Sequence, residues 1–133
     1  MLKVSGNNDT GGESRMVMVV EDDPVIRSIL CNIIKRDRPE THIIECVDGQ
    51  DAVNKMNNKI GLIFTDNNMP ILSGLEFIRK IKSDPVYSAI PVVMVSVESR
   101  EEYKKLGREL GTAGWIVKPF VMSQIQKYIH EYI

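Results

Sequence analysis

Several features are scarce in this sequence, and each shortage closes off a class of explanation. Of its 133 residues only Cys31 and Cys46 are cysteine, both inside apolar segments, with no CxxC pair and no neighbouring histidine. A disulfide framework and a thiolate zinc site are excluded, and two buried thiols in a reducing compartment are expected. Charge of one sign is also lacking: 17 basic residues stand against 18 acidic ones, for a formal net charge of -1. No stretch gathers enough Lys or Arg for an electrostatic case for nucleic acid. No apolar run approaches the length of a membrane-crossing helix. The first fifteen residues hold only Met1, Leu2 and Val4 as apolar side chains, too few for the apolar core of a signal peptide. The cytoplasm is the expected location. Phosphate-cradling glycine loops are missing as well, since neither GxxxxGK[ST] nor GxGxxG occurs.

What remains is the profile of one globular domain, with 43% hydrophobic and 26% charged residues. At this length folding removes roughly two-thirds of the unfolded chain's surface from water, enough for a core without disulfides or structural metal. Residues 1–15 are rich in Gly, Asn and Ser and read as a disordered leader, so that folded structure is expected over 16–133.

From Met16 onward short apolar runs alternate with helical patterns. MVMVV at 16–20 is an unbroken apolar run, as in a strand buried on both faces. Pro24 then suits the first turn of a helix, and Ile26, Ile29, Leu30, Ile33 and Ile34 recur at helical spacing. HIIEC at 42–46, LIFT at 62–65, PVVMVS at 91–96 and GWIVK at 114–118 read as four more strands. Helices are expected over 51–56, along Leu75, Ile78 and Ile81, from about Ser99 to Leu110, and along Val121, Ile125, Tyr128, Ile129 and Ile133. Five strands alternating with five helices predict a doubly wound α/β fold, a five-stranded parallel sheet with helices on both faces, flavodoxin-like in type. Sites in such sheets lie beyond the carboxyl ends of the strands, where strand order reverses.

That rule selects a small set of residues. Glu21, Asp22 and Asp23 end the first strand, Asp66 the third, Ser96 the fourth and Lys118 the fifth. Singly, each has an ordinary explanation: Asp23 before Pro24 is a natural helix cap, and a lone Ser or Lys at a strand end is usually a solvated loop residue. Together they converge. Carboxylates gathered at one point repel one another, and a hard divalent cation with oxygen ligands, Mg²⁺ above all, is the usual compensation. A lysine ammonium and a serine hydroxyl add donors for an anion, and the whole set suits transfer of a phosphoryl group to a carboxylate nucleophile.

The runs VVEDDPVIR, FTDNNMPILSGLEFIRKIK, PVVMVS and GWIVKPF resemble the receiver domain of two-component response regulators, and among these the CheY-like single-domain chemotaxis regulators. The resemblance covers residues 16–133. It implies that Asp66 is the phosphoacceptor, fed by a histidine kinase or phosphotransfer protein. Asp22, Asp66 and the backbone carbonyl of Asn68 would hold Mg²⁺, with Glu21 in the other acidic-pair position acting through water. Ser96 would be the switch hydroxyl, Lys118 the phosphate-binding lysine, Trp115 the aromatic switch position, and Asn68 and Glu98 the residues that tune self-dephosphorylation. Met69, Pro70 and Gly74 match the loop after the phosphoacceptor, and Pro119 implies a cis Lys118–Pro119 bond. A monomer is implied, acting without catalytic turnover of a substrate and without DNA contact or membrane insertion. No output domain follows Ile133, so the effect is expected to be delivered to a protein partner on the face of the fourth helix, fifth strand and fifth helix.

Three residues depart from the family pattern. Glu21 replaces the commoner Asp, Trp115 replaces smaller aromatics, and Val97 stands where a small residue is usual, beside the phosphorylation pocket. Other readings stay open at this point. A phosphorelay shuttle fits equally well. An aspartyl-phosphate phosphohydrolase would place its nucleophile after the first strand, a flavin-binding protein on the same fold would want a glycine-rich loop, and a degenerate receiver would not need the acidic set.

Overall fold

The computed structural model describes residues 15–133, so the leader expected over 1–15 lies outside the described residues except for Arg15. Ten elements alternate along the described residues: β1 (Met16–Val20), α1 (Pro24–Asp37), β2 (Ile43–Cys46), α2 (Gly49–Lys55), β3 (Ile60–Thr65), α3 (Gly74–Lys82), β4 (Val92–Ser96), α4 (Glu101–Leu110), β5 (Gly114–Val117) and α5 (Met122–Tyr132). The five strands form one sheet, all parallel, in the order β2-β1-β3-β4-β5. The chain thus runs outward to β2 and then back past β1 to β3. Strand order reverses between β1 and β3, where the sequence expectation places the site.

Side chains alternate across a strand, so each apolar run feeds two cores at once. Val17 and Val19 join Leu62 and Phe64 beneath α1 and α5. Met18, Val20 and Ile63 join Leu75, Phe77 and Ile78 of α3 on the other face, where α2 and α4 also pack. Central β3 is buried at every position, whereas the edge strands β2 and β5 are only partly so. Each aliphatic side chain fully buried in this way contributes roughly 1.5–3 kcal/mol. Cys46 is buried and Cys31 half-buried, and burial pushes their thiols up to about 12 and about 11, so both are protonated and inert at neutral pH.

Element boundaries move from the sequence expectations for local reasons. The third strand starts at Ile60 rather than Leu62 because Ile60 already pairs with Met16. The second helix starts at Gly49 rather than Asp51 because the Asp48 carboxylate accepts the Asp51 N–H. The fourth starts at Glu101 rather than Ser99, since Arg100 binds back onto Glu98 and folds that loop on itself. Asp23 caps α1 and Pro24 occupies its first turn, as anticipated. Ser73 and Glu76 form a reciprocal capping box on α3. The Lys118–Pro119 bond is cis.

One loop residue is out of place by backbone chemistry. Ile71 has φ 71°, and Leu72 N–H donates to Pro70 O at 2.8 Å across it, the hydrogen bond of a γ-turn. A β-branched residue in this region crowds its own Cβ, at a cost of about 1–2 kcal/mol. The side chain is 78% exposed and gains little from packing. Ile71→Asn is therefore expected to raise stability by about 1 kcal/mol. An unchanged or lower urea midpoint would show that the turn carries no strain.

Candidate functional site

The backbone ladder carries past the ends of the strands and pins each functional residue. Glu21 N–H donates to Cys46 O, Asp66 N–H to Val20 O and Lys118 N–H to Ser96 O, at 3.0, 3.0 and 2.9 Å. Side chains on three separate segments, after β1, β3 and β5, are thereby fixed against one rigid sheet.

Glu21, Asp22 and Asp66 each offer a carboxylate oxygen, and the three atoms lie within 4.8 Å of one another. Glu21 and Asp66 are only 1% and 6% exposed, while Asp22 faces solvent. Lys118 is the internal counter-charge: its Nζ is 2.7 Å from Glu21 Oε1 and 3.5 Å from Asp66 Oδ2. Burial raises the Glu21 carboxyl above the usual carboxylate range, against the pull of Lys118 and of the Asp23 N–H that donates to Oε2 at 3.1 Å. In Asp66 the two oxygens are differentiated. Oδ1 accepts the Asn67 N–H at 2.7 Å, while Oδ2 faces Lys118 beyond hydrogen-bonding distance and is the more available lone-pair bearer.

The donor set fits Mg²⁺. An octahedral Mg²⁺ with oxygens at about 2.1 Å holds those oxygens roughly 3.0–4.2 Å apart, close to the spread of the three carboxylates. All three donors are hard oxygens, and exposed Asp22 leaves room for the waters such an ion retains. Asn68 is exposed on the loop that follows Asp66.

Ser96 is fully buried, and its Oγ accepts the Glu98 N–H at 3.2 Å. The Glu98 carbonyl in turn accepts the Trp115 indole N–H at 2.8 Å. The backbone of one residue, Glu98, therefore links the serine hydroxyl to the tryptophan. The Glu98 carboxylate turns to Arg100, taking two guanidinium N–H groups at 2.9 Å each and the Arg100 backbone N–H at 3.0 Å, and this arginine holds it down to about 2. Trp115 is half-buried, its ring pressed against Gly107 of α4, where an added Cβ would fall 3.0 Å from ring Cζ3. Val97 is exposed and shares with Lys118 the wall of a groove of about 340 Å³.

Two residues that sequence reasoning passed over shape the site. Asn67 is buried, donates to Asp66 Oδ1, accepts the Leu75 N–H on its side-chain oxygen and accepts the Met69 and Gly74 N–H groups on its carbonyl. Arg27 donates to the Glu21 carbonyl at 2.7 Å and pairs with Glu45 at 3.1 Å. Asn67 bonds mainly to main chain, and Arg27 divides its bonds between a main-chain carbonyl and Glu45, 18 residues away, so neither makes a local pattern in the sequence. The one available signal for Asn67 was its place directly after a buried carboxylate.

A family model, the response regulator receiver domain, matches residues 17–130. The phosphate regulon transcriptional regulatory protein PhoB of Klebsiella pneumoniae is 35% identical over 113 residues, 84% of this chain and 48% of that protein. The chain thus spans about half the length of the curated relatives it matches. Among solved structures, the chemotaxis protein CheY4 of Vibrio cholerae superposes with TM-score 0.80 at 26% identity, covering 90% of this chain and 99% of that one. The phosphorylated cyanobacterial phytochrome response regulator RcpA shares the fold with TM-score 0.76 at 23% identity, over 89% and 90% of the two chains.

Gly74 sets how closely α3 approaches the carboxylate loop. A Cβ there would stand 2.2 Å from the Asp66 carbonyl oxygen and 2.9 Å from Asn67 Cα, both main-chain atoms that cannot swing aside. Gly74→Ala is expected to cost about 2 kcal/mol or more. Mg²⁺ affinity should weaken with it, as measured by titration against Trp115 emission. Full retention of both quantities would show that the loop has slack.

Proposed function

The chain belongs to the response regulator receiver domain family, and from that premise we propose that it is a phosphoryl-accepting signalling switch with Asp66 as its acceptor. Receiver domains of two-component systems are phosphoacceptor signalling domains that draw on histidine kinases, and this chain carries such a domain. The observation that carries the residue-level reading is one buried carboxylate, Asp66, with a lysine ammonium 3.5 Å away and two further carboxylates within 4.8 Å.

Asp66 Oδ2 forms the new O–P bond while the P–N bond of a donor phosphohistidine breaks and the imidazole leaves with its electron pair. Asp22, Asp66 and the Asn68 carbonyl would hold Mg²⁺, and Glu21 would act through water. When bound, Mg²⁺ supplies positive charge for the equatorial phosphoryl oxygens. Lys118 starts on Glu21 and turns toward the phosphoryl group once Asp66 carries it, since Nζ already lies between the two acids. Asn68 and Glu98 tune the hydrolysis of the acyl phosphate by water, and Arg100 holds the Glu98 carboxylate in the resting chain.

The output runs through the backbone of Glu98. A phosphoryl oxygen that draws the Ser96 hydroxyl into a charge-assisted hydrogen bond removes the acceptor of the Glu98 N–H, and the Glu98 carbonyl is what anchors Trp115. Trp115 and the neighbouring surface of α4, β5 and α5, around Glu101, Tyr103 and Lys104, then offer a changed face to a protein target. A chemotactic or motility role is the form this takes if the target is a motility protein.

Phosphate incorporation from acetyl phosphate is expected to need Mg²⁺ and to vanish in Asp66→Asn. Incorporation in that variant equal to wild type, or unaffected by EDTA, would overturn the assignment. Asp22→Asn should weaken Mg²⁺ binding more than Asp23→Asn, because the Asp23 carboxylate is occupied as a helix cap. Lys118→Ala and Ser96→Ala should keep Mg²⁺ binding and lose the response of Trp115 emission to Mg²⁺ with beryllofluoride. Trp115 is the only tryptophan, so its emission reports this site alone. If emission in the wild type does not change on adding beryllofluoride, Trp115 is not part of the switch.

A further inference from the structure

The loop that joins β3 to α3 is closed by one buried side chain. A helix begins with four backbone N–H groups that have no partner within it. In α3 these belong to Ser73, Gly74, Leu75 and Glu76, and each is accounted for. The capping box takes two of them locally: Ser73 N–H donates to Glu76 Oε1 at 2.9 Å, and Glu76 N–H donates to Ser73 Oγ at 3.2 Å. Asn67 takes the other two from across the loop. Its carbonyl accepts Gly74 N–H at 3.1 Å, and its side-chain Oδ1 accepts Leu75 N–H at 3.0 Å.

That division gives the two devices separate jobs. The capping box holds the first turn of α3 together wherever the helix lies, because both its partners belong to the helix end itself. Asn67 instead fixes the helix start against the residue that follows Asp66. Its carbonyl also accepts Met69 N–H at 3.1 Å, a bond that spans Asn68 alone, as in a γ-turn. With both neighbours tied, the direction of the Asn68 carbonyl is fixed too. Asn67 is only 8% exposed, at a place where an apolar residue would pack without the cost of burying an amide. The bond from Leu75 offsets that cost, and it is the bond that closes the loop.

We propose that Asn67 is a positioning residue for the metal: by closing the loop onto α3, its side-chain oxygen aims the Asn68 carbonyl toward the cation held by Asp22 and Asp66. The inference rests on the reading of these residues as Mg²⁺ ligands, and it adds a side chain that touches neither the ion nor the phosphoryl group. Mg²⁺ demands near-ideal octahedral geometry, so a carbonyl released from its direction loses affinity rather than adapting. Removing a group that orients a metal ligand commonly weakens affinity about 10–100-fold. The loss falls on metal affinity and not on the chemical step, because Asp66 and Lys118 keep their places once the ion is bound.

Calorimetric titration of the unphosphorylated full chain with Mg²⁺ tests this. Asn67→Leu, close in volume but without the acceptor, should weaken Mg²⁺ binding about tenfold. Asn67→Asp keeps an oxygen in the same place and should bind Mg²⁺ no more weakly than wild type. Ser73→Ala removes the other cap of α3: it should lower the urea midpoint, as Asn67→Leu does, yet leave Mg²⁺ affinity within about twofold of wild type. Phosphate incorporation from acetyl phosphate should show the same split. In Asn67→Leu the Mg²⁺ concentration for half-maximal rate should rise about tenfold, while the rate at saturating Mg²⁺ stays within about twofold. Should Asn67→Leu not fold, Asn67→Ala removes the acceptor without adding bulk and is read in the same way. Unchanged Mg²⁺ affinity without the acceptor, an equal loss in Ser73→Ala, or a loss in Asn67→Asp as large as in Asn67→Leu would overturn the proposal. Failure of the wild type to bind Mg²⁺ would instead remove the reading of the acidic site on which it rests.

Discussion

Much of this molecule is arranged around one ammonium group held among buried carboxylates. Glu21 and Asp66 are both almost wholly removed from water, and two such charges cannot be left facing each other in a low-dielectric interior. Lys118 resolves the conflict at 2.7 and 3.5 Å, reaching in from the far side of the sheet. Replacing such a group by well-packed apolar residues would cost little in stability, and could increase it. The arrangement therefore makes sense as a site that must stay anionic enough to attract a cation, with an internal positive charge to hold it together in the meantime.

The parallel sheet makes that arrangement possible at a distance. Lys118 and Glu21 are 97 residues apart, and neither is positioned by its local sequence. Each is held by a hydrogen bond to the strand beside it, so the separation between ammonium and carboxylate is set by inter-strand spacing rather than by loop conformation. Asn67 and Gly74 extend the same precision to the loop after β3: one ties Asp66 to the start of α3, and the other lets that helix come within contact of the Asp66 carbonyl.

This explains what the sequence made legible and what it hid. Strands such as MVMVV and LIFT could be read because both faces of a parallel sheet are covered, which leaves an unbroken apolar run, and the residue after each run is then at the site by geometry. Glu21, Asp66, Ser96 and Lys118 are all selected in this way, and Lys118 lies within 3.5 Å of both Glu21 and Asp66. The exposure of Val97 and Ile71 is not readable this way, because an aliphatic residue after a strand looks like one more core residue until burial is known. The link from Ser96 through the backbone of Glu98 to Trp115 was hidden for a different reason. It consists of a backbone N–H and a backbone C=O, which every residue except proline carries, so no side-chain pattern announces it.

Glu21 shows how one methylene connects these levels. Its longer side chain brings Oε1 to 2.7 Å from Lys118 while its other oxygen accepts the N–H of Asp23, the residue that caps α1. The carboxylate is thereby tied to two elements at once, and the lysine is held on the Glu21 side of the well, 3.5 Å from Asp66. A shorter side chain from the same backbone position would pull the carboxylate back toward β1 and release the lysine toward Asp66. The resting chain thus keeps its acceptor oxygen free of a direct ammonium hydrogen bond. A lone pair not already engaged by a cation is the better nucleophile, and a lysine not yet committed can follow the phosphoryl group after it arrives. In the proposed function, glutamate at this position separates the two jobs of the ammonium in time, first neutralising the empty well and then clamping the filled one.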